Sequence, residues 1–143
     1  MITRVVVAED NQAMRRAIQK LLNKAQDIAV VGEAKDGLEA LTLVRKLRPD
    51  VLLLDVEMPL LTGIEVARRL RRDRKRPRIL VLSAYDDVQY RREMLANGAS
   101  GYLLKDDAPE QIVEAVRKLA QQESDSAGPP VVNELPKKRD EEV

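Results

Sequence analysis

The sequence predicts a three-layer α/β/α sandwich around a five-stranded parallel sheet, and three observations carry that prediction. Short β-rich apolar runs alternate with segments of helical period along most of the chain, the pattern of a buried parallel sheet with crossover helices. Four of the runs stop abruptly on polar residues: Val5-Val6-Val7-Ala8 before Glu9-Asp10, Val51-Leu52-Leu53-Leu54 before Asp55, Ile79-Leu80-Val81-Leu82 before Ser83, and Tyr102-Leu103-Leu104 before Lys105. Pro49 and Pro77 each sit just ahead of a strand, where a missing N–H ends the preceding helical segment at little cost to the sheet.

Strands are expected at about 3–8, 28–33, 51–54, 79–82 and 101–104. The first helix follows from Met14, Ala17, Ile18, Leu21, Leu22 and Ala25, which recur at i, i+3, i+4, i+7, i+8 and i+11 and so form one apolar stripe. Ala40, Leu41, Val44 and Leu47 mark the second helix, and Ile64, Ala67 and Leu70 the third. The fourth, around 87–97, has the weakest periodicity. Ile112, Val113, Val116, Leu119 and Ala120 define the fifth. Gly37, Gly63 and Gly98 fall at turns or helix ends. Right-handed crossovers then favour the strand order 2-1-3-4-5, with strands 1 and 3 adjacent at the switch point where such sheets bind ligands.

The chain has 143 residues, enough for one domain with a proper core. From about Ser124 onward the composition turns polar and Pro/Gly-rich, so residues 1–122 are expected to form the domain and 123–143 a linker or tail. The balance of 25 Lys+Arg against 24 Asp+Glu gives no overall pull toward nucleic acid or acidic lipid. Without cysteine or histidine, thiolate and imidazole metal sites, iron–sulfur clusters, Ser-His triads and histidine phosphocarriers are excluded. Apolar runs far below about 18 residues and an N-terminus that leads directly into a strand point to a cytosolic protein with no membrane association.

Adjacency of strands 1 and 3 would gather Glu9, Asp10 and Asp55 within a few ångströms. Two like charges about 4 Å apart repel by about 4 kcal/mol at an effective dielectric near 20. Such a site must hold a proton, recruit the lysine, or bind a divalent cation, and an all-oxygen site suits Mg²⁺ or Mn²⁺. A carboxylate is also a competent nucleophile for phosphoryl transfer, with the Ser83 hydroxyl and Lys105 ammonium placed to neutralise the transferring oxygens. Singly, acids at strand ends are often helix caps, and a lone Ser or Lys there is often only solvated; their joint register points to a site.

The series Glu9-Asp10, Asp55 followed by Met58-Pro59 and Gly63, Ser83-Ala84, and Tyr102 three residues before Lys105 resembles the receiver domain of bacterial response regulators, a flavodoxin-like fold. The resemblance covers about residues 1–122. It implies that Asp55 accepts a phosphoryl group from a sensor histidine kinase, and that Glu9, Asp10 and Asp55, with the backbone carbonyl of Glu57, hold Mg²⁺. Ser83 and Tyr102 would then move together to signal the phosphorylated state. It implies a signalling switch rather than a turnover enzyme, with homodimerisation on phosphorylation left open. The stretch 98–106 is similar to receivers that precede a LuxR-type helix-turn-helix. No such effector fits after Glu123, so a stand-alone receiver or one cut in its linker is expected, with no direct nucleic-acid binding of its own. Many receivers follow the lysine with a cis proline; here the residue is Asp106.

Other classes fit less well. A haloacid-dehalogenase-like phosphatase places its nucleophile after the first strand with a second Asp two positions on, whereas Asp55 follows the third strand and position 57 is Glu. A flavodoxin-like cofactor binder needs a phosphate loop of Gly, Ser and Thr after strand 1; Glu9-Asp10 would repel the phosphate. A phosphorylation-independent interaction module of the same fold is the remaining alternative. The run from Arg68 to Arg78 (RRLRRDRKRPR) holds eight basic residues and one acid and is read as a solvated face matched to a helix C-terminus, since it lacks aromatics for stacking on bases, with contact to a partner or RNA as the alternative.

Overall fold

The computed structural model describes residues 1–122, and the expected tail at 123–143 lies outside the described residues. Strands β1 (Thr3–Ala8), β2 (Ile28–Ala34), β3 (Val51–Asp55), β4 (Arg78–Ser83) and β5 (Gly101–Leu104) alternate with helices α1 (Gln12–Asn23), α2 (Gly37–Leu47), α3 (Gly63–Leu70), α4 (Val88–Ala96) and α5 (Ala108–Ala120). All four strand pairings are parallel and the order is β2-β1-β3-β4-β5, as the sequence predicts.

Period-2 alternation along the strands divides the core into two layers. Val5, Val7, Leu53, Leu80, Leu82 and Leu103 pack against α1 and α5 through Ile18, Leu22, Ile112 and Val116. Val6, Leu52, Leu54, Ile79 and Val81 face α2, α3 and α4 through Leu41, Val44, Val66, Leu70 and Met94. Each such side chain stabilises the fold by about 1.5–3 kcal/mol on burial. Because β3 is central and covered on both faces, all five of its residues are buried, Asp55 included.

Caps set where the helices start. Asn11 accepts from the Met14 N–H, Asp36 from Glu39, Thr62 from Glu65 and Asp87 from Gln89 and Tyr90, each satisfying an otherwise orphaned donor. Helix α4 buries only Met94 among its nine residues, which explains its faint pattern in the sequence. Strands β3 and β4 run one residue further than their apolar cores suggest, so Asp55 and Ser83 are the last ladder residues and inherit its rigidity. Helix α3 ends at Leu70, so the basic run mostly lies beyond it, in the connection to β4. After β5 the chain forms a 3₁₀ turn, Lys105–Asp107, that leads straight into α5. No peptide bond among the described residues is cis, so Lys105–Asp106 is trans.

Gly63 brings α3 against the end of β3. A Cβ at this position would lie 2.5 Å from the Asp55 carbonyl oxygen and 3.0 Å from the Val56 Cα, and its N–H donates to the Val56 carbonyl at 2.9 Å. Replacing glycine by alanine in a helix normally stabilises. Gly63→Ala should do the opposite, lowering stability by about 1–3 kcal/mol through backbone displacement, as read by urea unfolding. An unchanged or raised midpoint would show that the loop relaxes freely.

Candidate functional site

The carboxyl ends of β1 and β3 bring Glu9, Asp10 and Asp55 together, with one ligand oxygen from each lying within 4.8 Å of the others. Glu9 and Asp55 are buried and Asp10 is exposed. Lys105, at the end of β5, reaches across: its Nζ lies 3.0 Å from Glu9 Oε1 and 3.2 Å from Asp55 Oδ2. The second Glu9 oxygen accepts from the Asn11 N–H at 3.1 Å, and Asp55 Oδ1 from the Glu57 N–H at 3.2 Å. Glu9 and Asp55 are thus held in defined orientations.

Charge in this corner is not balanced. Three carboxylates against one ammonium leave a formal excess of two negative charges. Burial, and next the charge of Glu9, push the Asp55 carboxyl up to about 7, against the pull of Lys105 and of the Glu57 N–H. Burial opposes the charge on Lys105, but its ion pair with Glu9 and the charge of Asp55 outweigh that, and its pKa is raised. Glu9 Oε1, fully enclosed, has the ammonium beside it yet receives no well-aligned hydrogen bond. An under-coordinated buried oxygen, two further carboxylates and a deficit of two positive charges fit a hard divalent cation.

Two contacts that the sequence does not announce support the acidic loop. Arg15, on the first turns of α1, donates to the Glu9 carbonyl at 2.8 Å while pairing with Glu33 of β2 at 3.3 Å. On the opposite rim the Leu61 N–H donates to the Pro59 carbonyl at 2.8 Å. The centre of that three-residue turn, Leu60, has φ +72° and an exposed side chain, a strained conformation for a non-glycine residue.

Ser83 and Tyr102 meet at a backbone group. The Ser83 hydroxyl donates to the Tyr85 carbonyl at 3.0 Å and accepts from the Tyr85 N–H at 3.1 Å. The Tyr102 hydroxyl donates to the same carbonyl at 3.1 Å. The Tyr102 ring is already buried, 3% exposed, with the Arg91 guanidinium 5.7 Å from its centroid. Only Tyr85's side chain was visible to sequence reading, and the group used is its carbonyl. Of the residues singled out, Glu9, Asp10, Asp55 and Lys105 form one cluster, Ser83 and Tyr102 an adjoining one, and Glu57 contributes an N–H to Asp55.

Residues 5–117 match the family described as the response regulator receiver domain. A transcriptional regulatory protein of Bacillus subtilis, YxjL, is 37% identical over 121 residues, covering 85% of this chain and 56% of that protein. The transcriptional regulatory protein NarL of Mycobacterium tuberculosis is 40% identical over 117 residues, 82% of this chain and 54% of that one. The chain spans about half the length of the curated relatives it matches. Among solved structures, the signal receiver domain of M. tuberculosis NarL superposes with a TM-score of 0.82 at 38% identity, covering 85% of this chain and 98% of that one. A LuxR-family DNA-binding response regulator from Staphylococcus aureus gives 0.79 at 28%, covering 84% and 100%.

The ammonium's contribution depends on pH with a definite sign. Asp55's folded pKa, raised to about 7 from 3.8, means that its contribution to stability falls as pH rises between those values. Above that window Asp55 is ionised and leans on the Lys105 ammonium, whereas within it Asp55 holds a proton and needs that ammonium less. Lys105→Met should therefore cost about 2–3 kcal/mol near pH 8 in metal-free buffer and clearly less near pH 5.5, measured by urea unfolding. Equal losses at both pH values would separate Lys105 from the ionisation of Asp55.

Proposed function

The chain belongs to the response regulator receiver family, a signalling module rather than a turnover enzyme, and on that basis we propose that Asp55 is its phosphoacceptor. The donor is the phosphohistidine of a cognate sensor histidine kinase: a P–O bond forms to an Asp55 oxygen as the donor's P–N bond breaks, and the imidazole leaves as the neutral base after taking up a proton. The single observation that carries this reading is the position of Asp55, buried at the end of the central strand with Lys105 and Glu9 against it.

Mg²⁺ or Mn²⁺ would be held by Glu9, Asp10, Asp55 and the Glu57 carbonyl, and supplies positive charge to the oxygens of the transferring group when bound. The protein's own part is orientation. The Glu57 N–H and the Lys105 ammonium fix the Asp55 carboxylate in one rotamer, and Lys105 remains as a counter-charge to the oxygens that arrive. The Ser83 hydroxyl, buried beside them, is free to exchange its acceptor.

That exchange is the basis of the switch. The Tyr85 carbonyl now accepts from both Ser83 and Tyr102. When the Ser83 hydroxyl turns to a phosphoryl oxygen, Tyr102 becomes that carbonyl's one remaining hydroxyl donor, and the inward ring is held more firmly. Phosphorylation thus raises the population of the buried-ring state. Couplings of this kind are typically ~1–3 kcal/mol, comparable with one charge-assisted hydrogen bond. The relatives' names support an output in transcription, and the proposed setting is the cytoplasm. Among the described residues no helix is long and apolar enough to cross a membrane.

Incubation with acetyl phosphate and Mg²⁺, read by intact mass, tests the acceptor. The wild type should gain about 80 Da, as a covalent carboxylate nucleophile requires, and Asp55→Asn should gain nothing. Ser83→Ala should still accept the group but lose the beryllofluoride-induced amide shifts across residues 87–118. Undiminished labelling of Asp55→Asn ends the assignment, and a full shift pattern in Ser83→Ala removes Ser83 from the relay.

A further inference from the structure

The basic run does not lie along one helix face. Arg68 and Arg69, in the last turn of α3, are spent on Glu65 at 2.7 and 3.2 Å. Beyond Asp73 the chain turns toward the C-terminal end of α2, so that Arg74, Lys75, Arg76 and Arg78 meet Arg45 and Arg48 from a different part of the sequence. Two concavities open there. One, of about 280 Å³, has Arg48, Lys75, Arg76 and the buried Arg78 in its lining, between walls that include Val44 and Leu119. The other, of about 190 Å³, adds Arg45 and Arg74. They share Val44, Arg48 and Lys75, and so lie on either side of the same two cations.

Six cations and two acids line this basin, a formal charge of +4, in a chain whose total is +1. Both acids are engaged: Asp73 accepts from Arg45 at 3.1 and 3.3 Å, and Asp50 Oδ2 from the Arg4 N–H at 2.8 Å. Arg76 donates to the Arg71 carbonyl at 2.6 Å. Among the described residues, nothing engages the side chains of Arg48, Arg74 or Lys75, all three exposed. Arg48 is also the left-handed residue that closes α2, with φ 51°, a position glycine fills without strain. Clustered charge over low-dielectric walls concentrates counter-ions, and guanidinium forks match phosphate oxygens in pairs.

From this convergence we propose that the basin binds a compact phosphate-rich anion, with one phosphate in each concavity bridged across Arg48 and Lys75. No aromatic side chain lines either concavity, so there is no platform on which a nucleobase would stack, and the ligand is of the diphosphate or polyphosphate class rather than a nucleic acid. The basin lies at the opposite end of the sheet from the acidic site. Arg78 begins β4 and Ser83 ends it, a separation of roughly 17 Å at the rise of a strand. Leu119 and Gln122, at the end of α5, stand in its lining, so an occupant would touch the point where the described chain leaves the domain.

The test is an amide chemical-shift titration in metal-free buffer with sodium tripolyphosphate, orthophosphate and a single-stranded oligonucleotide at matched ionic strength. Tripolyphosphate should give saturating shifts confined to residues 44–50, 73–78 and 119–122, at least tenfold tighter than orthophosphate. Arg48→Gln with Lys75→Gln, both at exposed positions, should weaken it at least tenfold. Arg68→Gln with Arg72→Gln removes the same charge from the run outside the basin and should leave it unchanged. Absence of saturation, equal weakening by the two pairs, or saturation of these amides by the oligonucleotide but not by tripolyphosphate would overturn the proposal.

Discussion

The ammonium of Lys105 stands between two buried carboxylates, 3.0 Å from Glu9 Oε1 and 3.2 Å from Asp55 Oδ2, and the functional end of the molecule is arranged around that contact. Without a cation, two carboxylates at this spacing would repel by several kcal/mol in a protein interior. With one ammonium they are held but not neutralised, because Asp10 adds a third negative charge at the rim. The residual negative charge fits a divalent cation, and burial, with the charge of Glu9 next, raises the Asp55 carboxyl to about 7. Packing like charges here costs stability, as is common at sites of chemistry.

The fold makes this arrangement affordable by distributing its members over three strands. Glu9 follows β1, Asp55 ends β3 and Lys105 follows β5, so β4 separates the lysine's strand from that of the aspartate. Each is anchored by a ladder that continues into a closed core on both faces, which limits relaxation of the acids away from one another. The same geometry puts Ser83, at the end of β4, between Asp55 at the end of β3 and Tyr102 on β5. The Tyr85 carbonyl accepts from both the Ser83 and the Tyr102 hydroxyls, so under the proposed switch a change at Ser83 would reach the ring through this shared acceptor.

How much of this was legible follows from what each feature depends on. Glu9, Asp55, Ser83 and Lys105 could be read because each apolar run stops on its functional residue, and parallel topology then brings those ends together. Periodicity could not place Arg15 against the Glu9 carbonyl or bring two hydroxyls to the Tyr85 carbonyl, since side-chain direction and backbone acceptors leave no residue pattern. The buried position of Tyr102 depends on rotamer choice and on Arg91 above the ring, again a tertiary matter. The convergence of the basic run on α2 left no sequence pattern either. Only Arg68 and Arg69 sit in the last turn of α3, which ends at Leu70, and the chain beyond carries its later cations to Arg45 and Arg48.

The most direct measurement is the ionisation of Asp55 itself. Carbon-13 NMR of its carboxyl, followed from about pH 4 to about pH 9 in metal-free buffer, should show a transition well above the ordinary aspartate value, near 7. Millimolar Mg²⁺ should move that transition downward, because a cation sharing the site must displace the proton. A carboxyl that titrates at the ordinary value of 3.8 and ignores Mg²⁺ would contradict the picture of a charge-deficient acidic corner built around Lys105.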